Sequence, residues 1–185
     1  MKKTKEKIIS AAIQVFSRNP SASMEEIAET ISLSRRTLHR YFGSKSELIS
    51  EIILYASSLC LIKTKASLQS SIEPVNQLKA MFLSDIESGY QFCFLYKYKD
   101  NYQGMEEESS DYREMMEMFR DNLKTLRINN QIIPQLTLEW IEKLYLATIN
   151  AAIDLIIEDK SKEEEIVKMA WISYSNAIIH PSKKI

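Results

Sequence analysis

The run Ile27-Ala28-Glu29-Thr30-Ile31-Ser32-Leu33-Ser34-Arg35-Arg36-Thr37-Leu38-His39-Arg40-Tyr41-Phe42 decides how the rest of the chain is read. Just upstream, Ser23-Met24-Glu25-Glu26 is a capping box. In this motif a serine hydroxyl accepts from the backbone N–H three residues on, and a glutamate reaches back to the serine's own N–H. It opens a short helix running to about Thr30. Ser34 caps a second short helix that ends near Phe42. Two short helices joined by a three- or four-residue turn make a helix-turn-helix, whose second helix is shaped to enter the DNA major groove. Ile27, Ala28, Leu33, Leu38 and Phe42 form its expected core. Arg35 with His39, and Arg36 with Arg40, are i, i+4 pairs left on the outer face.

Three arginines and a histidine on one exposed helix face suit phosphate contact and guanine readout. Taken alone, the same residues also describe a solvated basic face. Ser34, with the free N–H groups it helps present, and Lys45 at the start of the next helix offer further phosphate contacts. The DNA-binding set read from the sequence is Ser23, Ser34, Arg35, Arg36, Thr37, His39, Arg40, Tyr41 and Lys45. Charge distribution points the same way. Residues 1–50 carry nine Lys/Arg against five Asp/Glu, while the remainder carries 15 against 20. A basic head on an acidic body suggests a polyanion partner at the N-terminus.

The run Ser34-Arg35-Arg36-Thr37-Leu38-His39-Arg40-Tyr41-Phe42-Gly43-Ser44-Lys45-Ser46-Glu47-Leu48 resembles the TetR family's pattern, Ser-x-x-Thr-Leu-Tyr-x-Tyr-Phe-x-Ser-Lys-x-x-Leu. Ile8, Ala12, Phe16 and Ile27-Ala28 fall where that family places its first helix and the start of its second. The resemblance covers roughly residues 5–50. This chain departs from the pattern at three places. Asn19-Pro20 stands in the first loop instead of the usual glycine, Ile31-Ser32 stands where Ala-Gly is usual, and His39 replaces a tyrosine. A residue other than glycine must therefore accept the turn geometry. The resemblance implies a bacterial transcriptional regulator that binds double-stranded DNA, dimerises through its last two long helices as a four-helix bundle, and holds a ligand pocket inside its body.

Beyond the motif the chain is read as helical throughout. Only three glycines and four prolines interrupt 185 residues, and helix interiors tolerate neither well. Ile8, Ala12 and Phe16 recur at helical spacing, so a first helix covers about 4–18. Ser44-Lys45-Ser46-Glu47, a second capping box, opens a long helix to about Ser67. Further helices are expected over about 74–87, within 88–104, over about 107–127, and over about 134–158. A third capping box, Ser161-Lys162-Glu163-Glu164, opens a last helix to about Ile179. The fold class is all-α: a three-helix DNA-binding domain over 1–46, then a helical ligand-binding and dimerisation domain over 47–185.

The last two helices are apolar on two faces, and both faces need cover. The residues assigned to a homodimer interface are Leu138, Ile141, Tyr145, Ala152, Ile153, Ile166, Ala170, Trp171 and Tyr174. Phe82, Tyr90, Phe92, Phe94, Tyr96, Tyr98 and Tyr102 make an aromatic concentration, joined by Met115, Met116, Met118 and Phe119. It reads equally as plain core and as the lining of an apolar ligand site. The ligand-binding candidates are Phe82, Tyr90, Phe94, Met115, Met118, Phe119 and Tyr145, for an apolar or amphipathic effector of unknown identity.

Other function classes lack their residues. Cys60 and Cys93 are far apart, and only His39 and His180 join them, so neither a disulfide nor a metal site is expected. No Ser/His/Asp or Cys/His constellation supports an enzyme, and no cofactor is expected. After Met1-Lys2-Lys3 no apolar run follows, and no stretch approaches the roughly 20 apolar residues of a membrane span. A cytoplasmic protein with no membrane partner is expected. The reading is thus a ligand-responsive repressor released from a palindromic operator, with an activator or a ligand-independent regulator as the alternative and a small helical enzyme as the remote one.

Overall fold

The computed structural model describes residues 2–99 and 109–180. Tyr102 lies outside the described residues, as do the side chains of Tyr96 and Tyr98. Among the described residues nine α-helices follow one another: α1 Lys2–Arg18, α2 Met24–Thr30, α3 Arg35–Tyr41, α4 Lys45–Gln69, α5 Pro74–Ser88, α6 Tyr90–Lys99, α7 Ser110–Ile128, α8 Leu138–Glu158 and α9 Glu163–Ile178. The protein is all-α. Among the described residues the only β pairing is an isolated bridge between Ile132 and Ile179, which ties the chain end to the loop before α8.

Two apolar cores organise these helices. The first collects Ile8, Ile9, Ala12, Ile13 and Phe16 of α1, Met24, Ile27 and Ala28 of α2, Leu38 of α3, and Phe42. Leu48, Ile49 and Ile52 from the start of α4 complete it, together with Phe94 of α6. The second core is built from the rest of α4 and from α5, α7, α8 and α9. At 25 residues, α4 is long enough to thread both. Phe92, Cys93 and Leu95 of α6 belong to the second core while Phe94 belongs to the first. That short aromatic helix is therefore a second bridge between the cores.

Helix ends follow local chemistry. Pro74 occupies the first turn of α5, where its missing N–H costs nothing. Two boundaries differ from the sequence reading. Helix α8 begins at Leu138 rather than Pro134, because Thr137 accepts the Trp140 N–H at 3.1 Å and sets the cap. The Arg127 guanidinium meanwhile holds the carbonyls of Pro134 and Leu136 in the preceding loop. The third capping box does not form. Asp159 instead caps a 3₁₀ turn over Lys160–Lys162, accepting from the Ser161 N–H at 3.0 Å and its hydroxyl at 2.6 Å. Those bonds, with the Ser161 hydroxyl foremost, hold the Asp159 carboxyl below the usual range.

Candidate nucleic-acid interface and internal cavity

The turn between α2 and α3 is made by backbone bonds. The Leu33 N–H donates to the Ala28 carbonyl at 2.9 Å and the Ser32 N–H to the Glu29 carbonyl at 3.0 Å. This is the double closure of a helix that ends on a left-handed residue. Ser32 supplies it with φ 54°, where a glycine would sit without strain. At the start of α2 the capping box is complete. Ser23 Oγ accepts from the Glu26 N–H at 3.2 Å, and Glu26 Oε2 accepts from the Ser23 N–H at 2.6 Å. That backbone hydrogen bond is the main reason the Glu26 carboxyl sits below its ordinary range. Ser34 caps α3, its Oγ accepting from the Thr37 N–H at 3.1 Å and lying 2.9 Å from Thr37 Oγ1.

The candidate DNA-contacting side chains of α3 and α4 fall into four groups. Arg36 and Arg40 are exposed and, among the described residues, form no ion pair; the Arg40 guanidinium lies 5.5 Å from the Tyr41 ring. Arg35 is also exposed, but its Nε meets Glu25 Oε1 at 2.6 Å, so α2 holds this arginine against itself. Thr37, His39 and Tyr41 are half-buried along the same helix. Lys45 is engaged within the module. Its ammonium donates to the Pro20 carbonyl at 3.3 Å and sits 5.2 Å from the Phe16 ring, bracing the loop between α1 and α2. Glu47 reaches the Gly43 N–H at 2.7 Å, one residue further back than a capping box would place it. Glu25 is the residue the sequence reading missed; its signal was an acid in the first turn of α2 facing a basic third helix.

Within the body, Thr64 of α4, Met81 and Asp85 of α5, Phe92 of α6, Met115, Met116 and Phe119 of α7, and Tyr145 and Leu146 of α8 surround a cavity of about 20 Å³. That is room for one water and far below the ≈ 300–1,000 Å³ of ordinary ligand sites. Met115, Phe119 and Tyr145 of the candidate ligand set thus line a common space. Phe82 stands behind it, edge-on to Tyr145 at 5.4 Å and stacked on Tyr174 at 5.3 Å. Met118 is half-buried against the same core but does not reach the cavity. Two candidates lie elsewhere. Phe94 is fully buried in the first core, 6.2 Å from Phe16. Tyr90 turns to α1, where its hydroxyl accepts from Arg18 at 3.0 Å.

Asp85 is the feature of the body that sequence reasoning passed over. Tyr145 donates to its Oδ2 at 2.7 Å, and burial pushes the Asp85 carboxyl up to about 7. Burial likewise raises the hydroxyl of Tyr145, with the Asp85 charge adding to it. The Cys60 thiol of α4 is pushed up to about 12, which leaves it protonated and unreactive. The available signal was an acid on the apolar stripe Leu78, Met81, Phe82, Asp85, Ile86.

Residues 8–52 match the family model described as "Bacterial regulatory proteins, tetR family". The chain carries a tetR-family DNA-binding module. Solved tetR-like structures extend the likeness in fold to nearly its whole length. The ketosteroid transcriptional regulator KstR2 of Mycobacterium tuberculosis aligns over 96% of this chain and 95% of its own, with TM-score 0.69 and 11% identity. A TetR family regulator from Marinobacter aquaeolei aligns over 97% and 99%, with TM-score 0.68 and 14% identity. LfrR from Mycobacterium smegmatis, solved in complex with proflavine, aligns over 96% and 98%, with TM-score 0.63 and 18% identity. No curated protein sequence matches the chain. The tetR-family match falls on the helix-turn-helix module, and no helix among the described residues is long and apolar enough to cross a membrane.

In this tetR-like fold most residues assigned to the dimer interface face inward. Ile141, Tyr145, Ala152, Ile153, Ile166, Ala170 and Tyr174 are buried within the protomer, and the structure excludes them as an open face. Leu138 and Trp171 are half-buried against the same core, with Trp171 5.5 Å from Phe82. The outward stripes are different residues. Trp140, Ala147, Ala151 and Leu155 on α8 and Met169, Ile172 and Ala177 on α9 are exposed.

Proposed function

We propose that the protein is a homodimeric repressor released from a palindromic operator when an apolar or amphipathic small molecule occupies its body. The observation that carries this reading is the double anchorage of α6: Phe92 in the cavity wall and Phe94 in the DNA-binding core. A ligand that widens the cavity by displacing Phe92 also moves Phe94, two residues on, when α6 turns as a rigid rod. Helix α6 also holds α1 directly, since the Tyr90 hydroxyl accepts from Arg18. A ligand preferring the widened state weakens DNA binding by its differential affinity for the two states. The LfrR complex with proflavine supports the idea that a body of this fold accommodates a small molecule.

The exposed apolar stripes of α8 and α9 support a second copy as their cover. Trp140 is 57%, Met169 50% and Ile172 52% exposed, more apolar surface on adjacent helices than scattered surface residues account for. The functional division falls near Ser46, with Leu48, Ile49, Ile52 and Phe94 lent to the DNA-binding core. Sedimentation is expected to give a dimer, and Ile172→Glu a folded monomer.

Two-fold protein symmetry requires a two-fold operator. Binding to sites selected from a random DNA library is the decisive test. Arg36→Ala or Arg40→Ala is expected to cost about 1–3 kcal/mol and to relax specificity at one position of each half-site. Arg35→Ala should cost less, because its guanidinium must first leave Glu25. If all three variants bind the selected site as wild type does, α3 is not the reading helix.

A further inference from the structure

The cavity between α4, α5, α6, α7 and α8 has one formally charged group in its lining, and that group is a carboxylate. Thr64, Met81, Phe92, Met115, Met116, Phe119 and Leu146 carry no charge, and Tyr145 is neutral. Asp85 accepts one hydrogen bond, from Tyr145 to Oδ2; its other carboxylate oxygen takes none from any described residue. The Lys63 charge favours the ionised carboxyl but makes no ion pair with it. Lys63 of α4 points its ammonium outward to Glu87, 3.1 Å away. A buried acid held by a single neutral donor is an expensive thing to keep in an apolar wall. The plain alternative is that Asp85 merely orients Tyr145, a task an asparagine would perform without the cost.

We propose that Asp85 selects the ligand by charge, so that the cavity takes an organic cation: an ammonium or delocalised nitrogen cation on an apolar or aromatic body. This rests on the reading of the cavity as the ligand site. The Phe119 and Tyr145 rings, 4.5 Å apart between centroids and tilted 46°, both line this space, and aromatic rings attract a cation placed over them. The methionines fit an irregular apolar body. An anionic ligand meets no basic residue in the lining and one like charge.

A permanent cation also reports the protonation state of Asp85. The charged and titratable groups that act on this carboxyl are the Lys63 ammonium, whose charge favours the ionised form, and the neutral Tyr145 and Cys60. Burial places the carboxyl's titration at about 7. A cation binds the ionised form, so its affinity rises with pH through that range and levels off above it, by about tenfold between pH 6 and pH 8.

The test compares benzyltrimethylammonium with neopentylbenzene, its uncharged isostere, by calorimetry on the full-length protein. Wild type is expected to bind the cation at least tenfold more tightly at pH 8, with the pH dependence confined to the cation. Asp85→Asn is expected to remove that preference while changing affinity for neopentylbenzene less than threefold. Tyr145→Phe keeps the ring but removes the hydrogen bond that favours the ionised carboxyl, so the rise of cation affinity should move to higher pH while the preference for the cation persists above it; an unmoved rise would overturn charge selection even if the aspartate variant misfolds. Equal binding of the two probes to wild type, or an unchanged preference in Asp85→Asn, overturns charge selection and leaves the cavity as a ligand site. If neither probe binds, the ligand-site reading falls and charge selection falls with it.

Discussion

The two cores of this molecule are built to different standards. Every buried side chain in the DNA-binding core is apolar, from Ile8 to Ile52 and Phe94. Among the described residues the buried polar ones, Ser57, Thr64, Ser67, Asp85, Ser88, Ser109 and Asn122, all lie in the body. So do the buried polar atoms without a hydrogen-bond partner, on Ser57, Asn122, Gln131, Asn150 and Tyr174. A core with no unmet polar group has one good packing arrangement, which suits a module that must present α3 at a fixed angle. A core with several has lower-cost alternatives, because an opening that lets in a ligand or water satisfies groups the closed form leaves unmet.

The largest expected effect tests whether the cores are separable. Phe94→Ala removes a ring from the DNA-binding core by changing the body's own helix, and should cost about 3–5 kcal/mol. Denaturant unfolding and operator affinity are expected to fall together. If stability falls and the remaining folded protein binds DNA as before, α6 is not part of the reading module's support.

A smaller effect, of opposite sign to most core mutations, is expected at Asp85. Its folded titration near 7 lies above the ~3.9 of an unfolded aspartate. Between those values the folded state holds the extra proton, so its stability falls as pH rises, and the penalty is complete above about pH 7. Asp85→Asn carries no such penalty. Its thermal midpoint should gain on wild type as pH climbs from 5 to 8, and a gap independent of pH would show that Asp85 is not held protonated. No matching trend is expected in the DNA-binding core, which buries no acid.

The smallest effect sharpens the other side of the comparison. Ser32 holds φ 54° at the helix-turn-helix turn, a conformation that costs a non-glycine residue roughly 1–2 kcal/mol. Ser32→Gly should raise stability by up to about 1 kcal/mol, since added freedom in the unfolded chain offsets part of the gain. Calorimetry showing a loss instead would mean that the serine side chain has a stabilising role in the turn.

The same contrast explains what could be read in advance. The DNA-binding module was legible because its signals are local: Ser23 with Glu26, Ser34 with Thr37, and arginines four residues apart. The helices of the body were equally legible, apart from the starts of α8 and α9. Which way their faces point was not. Phe92 and Phe94 are neighbours in an aromatic run, yet two residues on a helix turn a side chain about 200°, so one lines the cavity and the other fills a different core. Ile153 and Leu155 of α8 likewise differ only in which stripe meets α9 and α5. Pairings of this kind are decided by residues far away along the chain, and periodicity carries no record of them.

The closed cavity has a consequence for dose and response. A space of about 20 Å³ is too small for an organic molecule, so under the proposed function the effector binds an opened form of the body. If the open fraction is f, the concentration needed for half-response is the intrinsic dissociation constant divided by f. Sensitivity is then set by the opening equilibrium as much as by contacts to the effector. Substitutions that never touch the ligand, at Phe82 behind the wall or at Asn122 with its unmet oxygen, would move the threshold of induction up or down the concentration axis while leaving ligand preference and operator sequence where they were.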